Sequence, residues 1–162
     1  LTTDSQDITI EGDTTLGENI TINTGLGGGD IRFLGALNGI NTNVQNLTAT
    51  SGYGDILFEG EVGDIFPLEN IVANSNGTTR FNSNVVANNL ITDAGGITQV
   101  LGNVTTLGVA GVQDYQDVLE LIGSITLTAN EINFGDVVAG TGDVRFQPVD
   151  PNQDIAIGVF RT

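Results

Sequence analysis

The chain of 162 residues has no cysteine, histidine, methionine or tryptophan, and its four basic residues are all arginine, so lysine is missing as well. Each absence removes a class of chemistry. Without His no unperturbed side chain titrates near neutrality. Without Cys there is no disulfide framework, thiolate nucleophile or zinc–thiolate site, and without Lys there is neither a Schiff base nor a phosphate-loop lysine. Zero Cys suits a cytosolic protein and equally a bacterial exported protein that dispenses with disulfides. Against Arg32, Arg80, Arg145 and Arg161 stand 20 acidic residues, a net charge of −16. Such a surface repels DNA, RNA and anionic bilayers, so neither nucleic-acid binding nor membrane insertion is expected. No apolar run reaches the 18 or so residues of a membrane helix, and the opening Leu1-Thr2-Thr3-Asp4 lacks the pattern of a signal peptide.

What is abundant is glycine, 23 residues, with many Asn and Thr, while 39% of the chain is apolar. That balance points to an ordered, turn-rich all-β protein rather than a disordered acidic tail. Short alternating runs recur between Gly, Asn and Asp clusters: Ile8–Ile10, Ile20–Ile22, Ile31–Phe33, Ile56–Phe58, Ile71–Ala73, Leu90–Thr92, Ile125–Leu127, Ile132–Phe134, Val144–Phe146 and Ile155–Ile157. Each reads as a short strand with alternate side chains inward. Gln113 to Ile122 fits a helix or a strand and is read as strand, on the alternation of Val118, Glu120 and Ile122.

The runs repeat. Asp30-Ile31-Arg32-Phe33-Leu34-Gly35 is echoed by Asp55-Ile56-Leu57-Phe58-Glu59-Gly60, by Thr78-Thr79-Arg80-Phe81-Asn82-Ser83 and faintly by Ile97-Thr98-Gln99-Val100-Leu101-Gly102. Positions 33, 58, 81 and 100 lie 25, 23 and 19 residues apart. A drifting period of this size, with strand triplets and Gly or Asn at corners, is what one coil of a parallel β-helix requires. About seven coils stacked ~4.8 Å apart give a rod roughly 35 Å long. A longer echo, at offsets of 101 to 110 residues, relates Gln6-Asp7-Ile8 to Gln116-Asp117-Val118 and Asp30–Phe33 to Glu131–Phe134. The expectation is one β-helix domain over 1–162, with a second repeat module opening near residue 113.

The segments Asp114-Tyr115-Gln116-Asp117-Val118, Ser124–Ala129, Glu131–Val137, Thr92–Thr98, Gly142–Pro148 and Asp154–Gly158 together resemble the repeats of filamentous-haemagglutinin-like large exoproteins, the two-partner-secretion adhesins. The resemblance implies a right-handed parallel β-helix, export through an outer-membrane secretion pore, and a role in adhesion or assembly at the bacterial surface. The repeats of that family carry no catalytic residues, so it implies none here.

Arg32-Phe33, Arg80-Phe81 and Arg145-Phe146 place an Arg beside an aromatic on three coils, with Leu57 and Asn133 in the matching place on two others. With Phe inward the Arg side chains form an outward basic line, suited to an acidic glycan or a neighbouring subunit; the simpler reading is solubilising residues paired with local carboxylates. Asp55, Glu59, Glu61 and Asp64, and again Asp143, Asp150 and Asp154, are oxygen ligands of the kind Ca2+ takes, but no EF-hand pattern is present. Gly25 to Phe33 does not keep the register of a calcium-binding nonapeptide, and counter-ion screening is the simpler account. Asn19, Asn46, Asn76 and Asn103 open N-x-Thr sequons, read as corner residues. No catalytic, cofactor or metal residue is assigned. The expected function is that of a non-enzymatic, secreted or cell-surface structural and adhesive protein. It would be either a rigid segment of a long exoprotein or a filament subunit self-associating head to tail, with a cell-surface or glycan ligand. The alternative is a carbohydrate- or ice-binding module, for which outward Thr9, Thr21 and Thr126 would have to align.

Overall fold

A computed structural model describes residues 1–93, 95–153 and 157–158. Among these residues every regular element is a β-strand, and the strands follow one another around seven coils. The first coil holds β1 (Ile8–Ile10), β2 (Thr14–Leu16) and β3 (Ile20–Asn23), and the second β4 (Ile31–Phe33), β5 (Leu37–Gly39) and β6 (Asn46–Thr50). The third has β7 (Ile56–Phe58) and β8 (Leu68–Asn74), and the fourth β9 (Thr78–Phe81) and the long β10 (Val85–Thr92). Then come β11 (Ile97–Val100), β12 (Val104–Thr106) and β13 (Val112–Tyr115), followed by β14 (Val118–Leu121), β15 (Ile125–Ala129) and β16 (Glu131–Phe134). The last coil carries β17 (Val138–Gly140), β18 (Val144–Pro148) and β19 (Ile157–Gly158).

All strand pairings join successive coils and all are parallel, so the coils form three walls. Wall 1 is β1-β4-β7-β9-β11-β14-β17. Wall 2 runs through β2 and β5, the isolated bridges of Val62, the first half of β10, then β12, β15 and β18. Wall 3 contains β3, β6, β8, the second half of β10, then β13, β16 and β19. The β-solenoid expected from the period is therefore present, with the expected number of coils.

The short repeat sets the register on wall 1. Ile10, Phe33, Phe58, Phe81, Val100 and Leu121 stack directly on one another, pair by pair. Phe33, Phe58 and Phe81 face inward and lie nearly parallel, with centroids 5.1 and 4.8 Å apart. Such stacking adds to the burial of three large side chains in one column. Beside it Ile8, Ile31 and Ile56 make a second inward column.

Two residues beyond the aromatic column the chain turns from wall 1 to wall 2, and there glycine is dictated by contact with the coil beneath. A Cβ on Gly35 would lie 2.2 Å from the Gly12 carbonyl carbon, and one on Gly60 2.5 Å from that of Gly35. Ser83 takes this place on the fourth coil, and Gly102 sits directly against it.

Each run read from the sequence lies in a strand, except that Asp154, Ile155 and Ala156 fall outside the described residues, as does Arg161. The run Gln113 to Ile122 is two strands, not one: Gln116 and Asp117 make the corner between β13 and β14. Its inward residues on β14 are Leu119 and Leu121, while Val118 and Glu120 face outward. The strands absent from the sequence reading, β2, β5, β6, β12 and β17, offer few inward apolar residues amid Thr, Asn and Gly. Their pairing comes from the coils above and below. The 101-residue echo joins different walls, since Ile31-Arg32-Phe33 lies on wall 1 and Ile132-Asn133-Phe134 on wall 3.

Two substitutions and a control test this packing by thermal or denaturant unfolding. Phe58→Ala, at the centre of the ring stack, is expected to cost about 3–5 kcal/mol. Gly60→Ala, which drives a methyl into the backbone beneath, is expected to cost at least ~1–3 kcal/mol, whereas Gly28→Ala, with nothing within 4 Å of the added methyl, leaves the midpoint nearly unchanged.

Candidate functional site

The outward column of wall 1 runs Thr9, Arg32, Leu57, Arg80, Gln99, Glu120. Its middle part, Arg32 to Gln99, floors an open groove of about 460 Å³ lined also by Asp30, Asp55, Glu59 and Asn82. Arg32 pairs with Asp30, the one ion pair among the described residues. Arg80 donates through Nε to Asn82 Oδ1 at 2.6 Å and through a terminal nitrogen to Gln99 Oε1 at 3.5 Å. Gln99 in turn donates to Glu120 Oε2 at 2.8 Å. Three carboxylates therefore face two guanidinium groups, a mixed-sign surface that does not concentrate a polyanion.

The basic line expected across three coils is shorter than the sequence suggested. Arg32, Leu57 and Arg80 do stack, but Arg145 lies on wall 2 opposite Thr126, and Asn133 lies on wall 3 opposite Asp114. The reason is register: an Arg-Phe dipeptide recurs wherever an inward aromatic follows an outward residue, whatever the wall. Thr9, Thr21 and Thr126 likewise fall on three different walls.

The corner polar residues are used between coils. Asp7 Oδ1 accepts the Asp30 amide at 2.9 Å, Asp30 Oδ1 the Asp55 amide at 2.9 Å and Asp55 Oδ1 the Thr78 amide at 2.7 Å. An amide ladder runs up the edge of wall 3: Asn19 accepts from Asn46, Asn46 from Asn70, Asn70 from Asn89, and Asn89 from the Val112 amide. Asn84 and Asn103 make a third such series to Thr126. The sequon residues Asn19, Asn46 and Asn103 are thus rungs of ladders, while Asn76 is exposed. The carboxylates considered as calcium ligands are engaged singly: Glu59 accepts from Asn82, Glu61 from Asn84 and Asp64 from Asn38. Asp143 is exposed, Asp150 accepts from Asn152, and Asp154 lies outside the described residues. Among the described residues no group of three His, Cys, Asp or Glu is arranged to hold a metal ion.

The interior holds what the sequence reading missed. In the second and third coils the buried polar residues are Asn38 in β5 and Gln45, Ser51 and Ser75 outside the strands, whereas at the fifth coil a strand of every wall turns a polar side chain inward: Thr98, Thr106 and Gln113 are all fully buried. Asp117, 3% exposed, accepts from Thr92 Oγ1 at 3.0 Å and Thr98 Oγ1 at 2.9 Å. Gln113 donates to the Val104 and Thr128 carbonyls and accepts from the buried Tyr115 hydroxyl. The Thr106 hydroxyl oxygen finds no partner among the described residues. Burial pushes the Asp117 carboxyl above its usual 3.8; the two threonine hydroxyls oppose this, and nearby Asp93 adds to it. Burial and the Asp117 charge raise the Tyr115 phenol in the same way. The signal was legible in one feature only: Gln113 and Asp117 occupy the inward parity of an otherwise alternating run.

Comparison with protein families, curated proteins and solved structures finds no match. The geometry alone therefore carries the functional reading. It offers an open mixed-charge groove and corner groups already committed to holding coil on coil. If the corner carboxylates act as backbone acceptors, Asp55→Asn, which keeps an acceptor oxygen, leaves unfolding nearly unchanged. Asp55→Ala, which strands the Thr78 amide, costs about 0.5–1.5 kcal/mol in the same measurement.

Proposed function

We propose that the chain is a non-enzymatic, extracellular structural and adhesive segment: a rigid β-solenoid of a bacterial surface exoprotein of the filamentous-haemagglutinin-like type, exported through an outer-membrane pore. The observation that supports this reading best is the use made of the polar residues. Corner Asp and Asn side chains accept backbone amides of the next coil, so groups that elsewhere perform chemistry here lengthen a rod. A stiff stack presents outward columns at a fixed pitch of ~4.8 Å per coil, and a partner on a cell surface or glycan meets a repeated, multivalent face. The same backbone pairing that joins one coil to the next is available for head-to-tail addition of further copies, a heterologous contact that generates fibres rather than closed rings.

Electron microscopy of the purified chain across a concentration series, with and without EDTA, tests the assembly. The proposal expects single-solenoid-wide filaments that lengthen with concentration and survive EDTA. Compact particles at every concentration contradict self-assembly and leave the exoprotein segment. Antiserum against the chain should label intact cells of its source or their medium; signal confined to lysed cells contradicts the extracellular role.

A further inference from the structure

Asp117 is a buried carboxylate with no cation among its partners in the described residues. It sits at the corner between β13 and β14, where its two oxygens join Thr92, the last residue of β10 on the fourth coil, to Thr98 of β11 on the fifth. It therefore ties the fourth coil to the fifth at the point from which the sixth departs. Among the described residues the titratable groups on the surrounding elements add no positive charge. Asp93, just after β10, accepts the Ser75 amide, and Tyr115 at the end of β13 donates to Gln113. Asp114 and Glu120 are turned outward to Gln116 and Gln99, and Asp136 is exposed on the following coil. Arg80 is occupied on the outer face of wall 1, and Arg145 is exposed on wall 2.

In this setting the charge state of one carboxyl group controls how well the middle of the rod holds. Ionised, Asp117 is a desolvated anion kept in place by two hydroxyl donors beside another acidic residue. Protonated, it loses the desolvation penalty and the repulsion of Asp93, and it keeps both threonines, since a hydroxyl can donate or accept. We propose that Asp117 is a proton-operated pin that closes the fourth, fifth and sixth coils on one another in acid and lets this stretch open more readily at neutral pH. It makes the solenoid stiff throughout in acid and jointed in the middle near neutrality, a property that goes beyond the structural role proposed above and does not depend on it.

The sign follows from linkage. The folded-state carboxyl holds its proton more tightly than the unfolded chain, whose value is near 3.8. Its stabilising contribution is therefore complete below that value and is lost as pH rises through the folded-state value. The supporting geometry is local, so the effect belongs to the central coils and not to the second and third coils, which bury no titratable side chain among the described residues.

Native-state hydrogen exchange on the intact chain between pH 4.5 and 7.5 (~3 units), corrected for intrinsic exchange, tests this. The expected result is an opening constant for residues 97–121 that falls as pH falls, by up to about tenfold per pH unit as one proton requires, while residues 31–58 change little. Asp117→Asn should flatten the slope to the part contributed by Asp93, whose carboxyl burial also raises. Asp93→Asn should move it to lower pH and Thr98→Val, which removes a donor to the anion, to higher pH. Equal slopes in the two segments, or the wild-type slope persisting in Asp117→Asn, overturn the proposal in favour of general charge relief. Should Asp117→Asn fail to fold, an unchanged profile in both Asp93→Asn and Thr98→Val overturns it equally.

Discussion

Backbone pairing between one coil and the next is the interaction on which every other feature depends. Parallel strands at a fixed separation of ~4.8 Å leave no freedom in height, so each coil must lie flat on its neighbour through three walls and three corners. The side chains are selected by that constraint. Inward positions in the early coils of wall 1 stack like on like, Phe33 on Phe58 on Phe81 and Ile8 on Ile31 on Ile56. Corners that touch backbone to backbone hold Gly, as at Gly35 and Gly60. Corners that do not touch carry Asp or Asn, whose side chains bridge the interval by accepting the next amide.

This explains why so acidic a chain folds without a matching set of cations. Carboxylates such as Asp7 and Asp55 stand exposed at the surface, keep water around the charge and gain a backbone N–H each. A charge-assisted bond of this sort contributes more than a neutral one and needs no ion pair. Asp117 is the exception that makes the rule informative, because the same residue type turned inward meets hydroxyls instead of water and becomes sensitive to protons.

How much of this was legible in the sequence depended on the wall. On wall 1 the motif Asp-Ile-x-Phe-x-Gly encodes five structural instructions in six residues: ladder acceptor, two inward residues, one outward residue and a contact corner. The aligned positions 33, 58, 81 and 100 accordingly proved to be a true column. On walls 2 and 3 the strands Leu37–Gly39, Val104–Thr106 and Asn46–Thr50 owe their conformation to the coils above and below, and local composition is dominated by loop-like residues. The arginine line failed for the same reason, since adjacency to Phe specifies inward or outward but not which wall. The polar interior of the fifth coil was missed because Gln113 and Asp117 read as surface residues until their parity is fixed by Leu119 and Leu121.

The in-register stack is the central claim, and the absence of cysteine permits a direct measurement of it. Leu57 and Arg80 are outward neighbours on adjacent coils, while Gln99 is one coil further on. A disulfide needs Cα atoms about 4.4–6.8 Å apart. Under mild oxidation the pair Leu57→Cys with Arg80→Cys should therefore close to a monomeric disulfide-bonded product, and the pair Leu57→Cys with Gln99→Cys, ~9.6 Å apart by coil pitch, should not. Equal yields from the two pairs, or closure of the second alone, would contradict the register and with it the solenoid.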